Sequence, residues 1–298
     1  MKKRVLVTGG LGFIGYNLVK RLLQTTDYEI TVIDNLSSQS SSRNNKHKNV
    51  KYIIDDINNL DNVKYEDLNF DLIFHLAALA RIQPSFKDPI RYFQSNIMGT
   101  VNVCELARRC NAKIIYAASS SAYGGPKLNP YAFAKWTGEE TLKMYSEVYN
   151  ISTVSARFFN VYGDRHPTEG TYATIIGIFE RQYSNGKSLT ITGDGEQRRD
   201  FTYVGDIVDG LVRCGFSLLT DSKVTDGQSY ELGNGNNRSI NELAEAFGDY
   251  PTEYIDGRPG EMRETLNKDT KARDILGWKP KGDIIKFIKE KYVFCNTN

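Results

Sequence analysis

The sequence predicts an α/β protein, a doubly wound parallel sheet followed by a smaller α/β cap. Two observations carry this. Through the first half, short apolar runs alternate with helical patterns, the rhythm of βαβ units. After Phe159 that rhythm breaks into shorter, mixed elements. Length agrees: 298 residues, 40% hydrophobic and 25% charged, suffice for a large core in one big or two closely packed domains.

Taken in order, strand-like runs fall at 4–8, 29–34, 50–54, 72–75, 113–117 and 153–158. Amphipathic stretches lie between them, among them 14–23, 89–109 and 131–149. The segment 35–48, rich in Ser and Asn, has no apolar period and is expected to be an exposed loop. Further on, a helical stretch at 173–183 precedes a hairpin-like Gly193-Asp194-Gly195, a strand at 200–204 and a helix through Phe216. Ser239 with Glu242 in third position after it spells a capping box opening a helix.

Composition excludes several classes of function. Lys plus Arg is 38 against 36 for Asp plus Glu, a net charge of +2, which does not favour nucleic acid as partner. No apolar run is long enough to span a membrane, so none is expected as partner. The charged start runs into a short strand and a glycine turn rather than a signal peptide. Cys104, Cys110, Cys214 and Cys295 form no CxxC pair and are expected to be reduced thiols of a cytoplasmic protein, with no metal site.

Thr8-Gly9-Gly10-Leu11-Gly12-Phe13-Ile14-Gly15 follows a strand and opens a helix. Gly9, Gly12 and Gly15 allow a tight turn, close approach of a pyrophosphate and close helix–strand packing, with helix amides facing the phosphates. Asp34 ends the second strand about twenty residues on, where a carboxylate accepts from a ribose 2′-hydroxyl and repels a 2′-phosphate. NAD is therefore expected rather than NADP. Asp56 and Ile57 are placed to flank the adenine. This makes 1–160 a Rossmann-type NAD-binding domain, rejoined by the chain around 202–234, and 161–298 a smaller substrate-binding cap, with ligand between them at the carboxyl edge of the sheet.

Tyr131 and Lys135 are four apart on an expected helix and share one face. A phenol near its reference pKa of ~10 is a poor base at neutral pH, and a nearby ammonium stabilises the phenolate. Ser119, Ser120 and Ser121 follow a strand; one of these hydroxyls can bridge the phenol and a reacting oxygen.

These motifs, with Asn35-Leu36, Phe74-His75-Leu76-Ala77-Ala78, Asn96, Arg157-Phe158-Phe159-Asn160, Arg198-Arg199-Asp200-Phe201 and Arg258-Pro259-Gly260-Glu261, resemble the extended short-chain dehydrogenase/reductase superfamily in its nucleotide-sugar epimerase and dehydratase branch. The resemblance covers nearly the whole chain in the family's order. It implies cofactor contacts from Phe13, Ile14, Asn35, Leu76, Ala77, Ala78, Asn96, Tyr131 and Lys135, the last on the nicotinamide ribose. Anchored on Tyr123-Gly124, it makes Ser119 the catalytic hydroxyl, though the assignment could fall on Ser120 or Ser121. Arg199 and Arg258 match phosphate-binding arginines, Asn160 a diphosphate or sugar contact, Glu261 a group for the nucleotide ribose. Leu189, Thr190 and Ile191 would lie near the base. Thr265, seven residues after Arg258, is small, which implies room for an N-acetyl group.

The implied function is sugar-nucleotide 4-epimerisation through a 4-keto stage, on UDP-glucose/galactose or their N-acetyl counterparts. Other family members carry carboxylates after the catalytic hydroxyl for elimination or decarboxylation; this chain has Ser120-Ser121. Rivals are an epimerase of UDP-glucuronate or of GDP- or CDP-sugars, a nucleotide-sugar reductase, and a non-catalytic dinucleotide-binding regulator. The stretch 123–130 is short for such epimerases and is expected to open the mouth of the site. By resemblance, the helices at 89–109 and 131–149 pair across a two-fold axis into a four-helix homodimer interface.

Overall fold

A computed structural model describes residues 2–38, 46–60, 68–220 and 226–293. Seven parallel strands form the main sheet: β1 (Arg4–Thr8), β2 (Glu29–Ile33), β3 (Lys51–Ile53), β4 (Leu72–His75), β5 (Lys113–Ser119), β6 (Thr153–Phe158) and, after three strands outside this sheet, β10 (Gln228–Leu232). Their order is β10-β6-β5-β4-β1-β2-β3. The chain therefore reverses direction across the sheet between β1 and β4, and a crevice opens at the strands' carboxyl ends there. All six early strands lie where the apolar runs place them, within two residues at each end. The loop expected over 35–48 falls partly outside the described residues.

The runs are apolar throughout because both faces are covered. Alternate residues separate cleanly. Val5, Val7, Val32, Leu72, Phe74, Ile115 and Ala117 pack on one side with Leu18, Val19 and Leu22 of α1 (Phe13–Thr25) and Ile207, Val208 and Leu211 of α7 (Val204–Thr220). Leu6, Ile33, Ile73, Ile114 and Tyr116 pack on the other, with Val103, Leu106 and Ala107 of α4 (Gly99–Cys110) and Leu142 and Tyr145 of α5 (Pro130–Tyr149). α5 starts where Asn129 accepts from the Ala132 amide at 2.8 Å and Pro130 occupies the first turn; it stops at left-handed Asn150. The stretch from Pro89 is not one regular helix: α3 (Pro89–Phe93) passes through a π-helical turn, Gln94–Met98, before α4.

β7 (Asn160–Tyr162) leaves the main sheet to pair with β9 (Arg198–Tyr203), which also pairs antiparallel with β11 (Asn237–Ser239). β8 (Leu189–Thr192) pairs with β12 (Thr252–Ile255). Gly193-Asp194-Gly195 is thus not a hairpin. Both glycines have positive φ, 64° and 74°, but the turn sends the chain from one small sheet to another. These elements and α6 (Ile175–Ser184) enclose their own core of Phe179, Ile191, Phe201, Leu243, Phe247 and Tyr292. The Ser239–Glu242 capping box is present.

Gly138 lets α5 approach β5: a Cβ there would stand 2.3 Å from the Tyr116 hydroxyl. Gly138→Ala should cost about 1–3 kcal/mol of stability despite the better helix propensity, read as a lower urea midpoint at unchanged slope.

Candidate active site

A cavity of about 580 Å³ opens at the carboxyl edge of the main sheet and runs beneath the cap. Gly9 has φ 70°, and a Cβ on it would lie 2.8 Å from the Ala77 amide nitrogen; a Cβ on Gly15 would lie 2.2 Å from the Gly9 carbonyl. Gly12 caps α1 without any side-chain hydrogen bond, leaving the first-turn amides for an anion. Asp34 is 5% exposed, and its two oxygens accept from the Leu11 amide at 3.0 Å and the Leu36 amide at 2.8 Å. A carboxylate at this place accepts from a ribose hydroxyl and repels a 2′-phosphate. The cradle therefore fits a dinucleotide without a 2′-phosphate.

Phe13, Ile14, Asn35, Ile57, Leu76, Ala77 and Ala78 also line the cavity. Asp56 and Asn96 do not. Asp56 instead accepts from Asn35 Nδ2 at 2.6 Å and the Asn58 amide at 2.8 Å, and its neighbour Asp55 takes the place on the wall. Asn96 is buried in the π-helical turn, accepting from the Leu79 amide and donating to its carbonyl at 2.8 and 2.9 Å. It braces the wall from behind.

At the inner end, Ser119 closes β5 and Tyr131 opens α5. The Ser119 hydroxyl is hydrogen-bonded to the Tyr131 phenol and accepts from the Ser121 amide at 3.2 Å. Of the three serines, Ser119 is the one that meets the phenol. Ser120 and Ser121 line the cavity too, and the Ser121 hydroxyl has no partner among the described residues. Burial holds the Tyr131 phenol above its ordinary pKa, while the Ser119 hydrogen bond and the charge of Arg81 pull it back. Lys135 donates to the Ala117 carbonyl at 2.7 Å, and burial lowers its ammonium to about 7 against the opposing pull of Glu139. The fixed cation acting on the phenol is thus Arg81, which motif reading passed over.

At the outer end, Asn160, Arg199, Arg258, Glu261 and Thr265 all line the cavity. Arg199 donates to the Arg198 and Arg263 carbonyls at 2.9 and 3.3 Å and pairs with Glu261 at 3.5 Å. Arg258 is exposed. The Thr265 hydroxyl accepts from the Asp200 amide at 3.3 Å. Leu189 and Ile191 are buried in the cap core; Thr192 and Gln197 form the nearby wall. The short stretch 123–130 touches the segment that carries Arg258 and Glu261. Asn129 Nδ2 donates to the Gly260 carbonyl at 3.4 Å, and a Cβ on Gly124 would lie 2.8 Å from the Met262 side chain.

Fold and site together define a dinucleotide-binding enzyme with a hydroxyl–phenol pair at the inner end of its pocket. Residues 5–233 match the NAD dependent epimerase/dehydratase family, and the chain belongs to it. It is 32% identical to a putative UDP-glucose 4-epimerase of Methanocaldococcus jannaschii over 99% of both chains. It is 30% identical to UDP-glucuronic acid decarboxylase 6 of Arabidopsis thaliana, over 93% of this chain and 84% of that one. Its fold superposes with a TM-score of 0.85 on the UDP-N-acetylglucosamine 4-epimerase of Methanobrevibacter ruminantium in complex with UDP-N-acetylmuramic acid, 32% identical over 100% of both chains.

In nucleotide-stripped protein, the Lys135 amine should be charged below about pH 7 and neutral above it. Lysine side-chain NMR should show a resonance titrating there that disappears in Lys135→Met.

Proposed function

We propose that this chain is an NAD-dependent nucleotide-sugar 4-epimerase acting on UDP-sugars, glucose/galactose or their N-acetyl counterparts. The observation that carries the reading is the Ser119–Tyr131 pair beside Ser120 and Ser121. Among the described residues the cavity's carboxylates are Asp34 and Asp55 at the glycine turn and Glu261 beside Arg199. None accompanies Ser119, so elimination or decarboxylation lacks its acid and base there. This favours epimerisation over the decarboxylase chemistry of the plant relative.

Held by Asp34 and the first turn of α1, NAD would accept and return hydride at C4. Tyr131 takes the C4 hydroxyl proton and gives it back, with Ser119 bridging the oxygen and the phenol. Arg199 and Arg258 hold the diphosphate, so that the 4-keto sugar can turn over without leaving. Lys135 binds the nicotinamide ribose. Asn160 contacts the diphosphate or sugar, and small Thr265 leaves space beside the ring. In this reading, 1–160 with the return at 202–234 carries the cofactor and the remainder the sugar nucleotide. Proton NMR of protein given UDP-glucose or UDP-N-acetylglucosamine, without added cofactor, should show the C4 epimer. Tyr131→Phe should lower kcat by about 10²–10⁴-fold; unchanged turnover would refute the base assignment.

The functional unit is a homodimer. Ile90, Phe93, Met98, Trp136, Met144 and Val148 are exposed on α3, the π-helical turn and α5, and the rings of Phe93 and Phe133, then Phe133 and Trp136, lie 5.8 and 5.9 Å apart. An apolar face shared by neighbouring helices suits a second copy. Phe133→Glu with Trp136→Glu should halve the mass seen by sedimentation velocity.

A further inference from the structure

Arg81 follows the wall formed by Leu76–Ala80 and precedes α2 (Ile82–Lys87). Its backbone has φ 80° and ψ 142°, a region that a side chain with a Cβ enters only under strain. The side chain lines the cavity. Its Nε donates to the Tyr172 carbonyl at 3.3 Å. No carboxylate among the described residues lies within 4.0 Å of its guanidinium, and Glu261 is engaged by Arg199 at 3.5 Å. A guanidinium has five donors in a planar fork, and among the described residues one of them, Nε, finds a protein acceptor.

The position of this charge along the cavity is fixed by its neighbours. The carbonyl of Ala80 accepts from the Tyr92 hydroxyl at 2.5 Å, and the Tyr92 ring stands edge-on to Tyr131 at 6.3 Å. The Arg81 charge acts on the Tyr131 phenol and itself feels Glu261 further along the cavity, so it stands within reach of the reacting sugar. Drawing a cation from water without a counter-ion is costly, and neutral sugar hydroxyls compensate it poorly. A carboxylate matches the fork in shape and charge.

We propose that Arg81 is a specificity-determining residue that selects nucleotide sugars bearing a carboxylate on the sugar, received by its guanidinium beside Tyr131. The inference rests on the nucleotide-sugar reading above and departs from it in the sugar, which here bears a carboxylate in place of the neutral ring. Lysine at this place would keep the charge and lose the fork. Glycine would remove both and relieve the backbone strain, so Arg81→Gly is expected to fold.

The test is isothermal titration of the NAD-loaded protein and of Arg81→Gly with UDP, UDP-glucose, UDP-glucuronate and UDP-N-acetylmuramate, alongside turnover of each sugar as a function of pH. The expected result is at least tenfold tighter binding of one carboxylate sugar than of UDP-glucose, lost in Arg81→Gly, with UDP and UDP-glucose changed less than threefold. Three results would overturn it. The wild type shows no preference for either carboxylate sugar; or Arg81→Gly weakens UDP as much as the sugars, which places the arginine on the diphosphate; or only the pH profile moves, which makes it an adjunct of the phenol. Carboxylate-selective binding without epimerisation of any sugar supports the role of Arg81 and refutes the epimerase reading, so the two are separable.

Discussion

The crevice depends on one buried relay that ties β1 to β4. The Thr8 hydroxyl accepts from the Leu76 and Ala77 amides at 3.2 and 3.1 Å, so its own hydrogen goes to His75 Nδ1 at 2.8 Å. The other face of the imidazole, Nε2, donates to the Thr100 hydroxyl at 3.0 Å, which in turn donates to the Asn96 carbonyl at 2.7 Å. Burial drives the His75 pKa down to about 3, with the Lys135 charge acting the same way, so the ring stays neutral and holds this one tautomer. The relay runs from the end of β1 through β4 to the start of α4. It joins the ends of the two strands between which the sheet reverses, and Asn96 extends it to Leu79 behind the cavity wall.

Around that fixed edge, the charges of the inner pocket are balanced by distance rather than by pairing. Glu139 lies one turn beyond Lys135 on α5, yet its carboxylate is held by Arg157 at 2.7–3.1 Å. Lys135 therefore rests on a carbonyl instead of a carboxylate, and its ammonium is easily lost. Tyr131, half-buried nearby, resists ionisation for the same dielectric reason. A group that brings positive charge into this space helps the phenol, and Arg81 is the protein's own contribution. Binding of an anion by Arg81 would offset part of that help.

Much of this was legible in residue order. Short apolar runs, continuous because both faces are buried, made the six early strands visible, and the glycine turn with Asp34 lines the cavity at the edge where the sequence places a cofactor. The YxxxK spacing and Ser119 converge because a strand end and a helix start are both rigid. What escaped was set by contacts between distant segments. Gly193-Asp194-Gly195 has the composition of a hairpin turn, but β12, some sixty residues on, claims β8 as its partner. Asp55 and Asp56 differ only in which way a bend turns them, and Asn35 decides it. Arg81 belongs to no motif; its one local sign was a cation directly after a strand-end wall, and its strained backbone leaves no mark in composition.

The way the chain weaves between the large sheet and the cap has a consequence for its synthesis. One face of the sheet is covered partly by α7, and its edge is completed by β10, both encoded after the chain has entered β7, β8 and β9 of the cap. A nascent chain that has emerged only through β6 leaves Phe74, Ile115 and Val154 without the helix that shields them. Gly215 meets the Phe74 ring closely enough that a Cβ would lie 2.9 Å from it, so this late helix docks on residues made far earlier. The sheet therefore cannot finish before β7, β8 and β9 of the cap have been made. Until residue 232 has left the ribosome, the half-made sheet keeps apolar surface that α7 and β10 later cover.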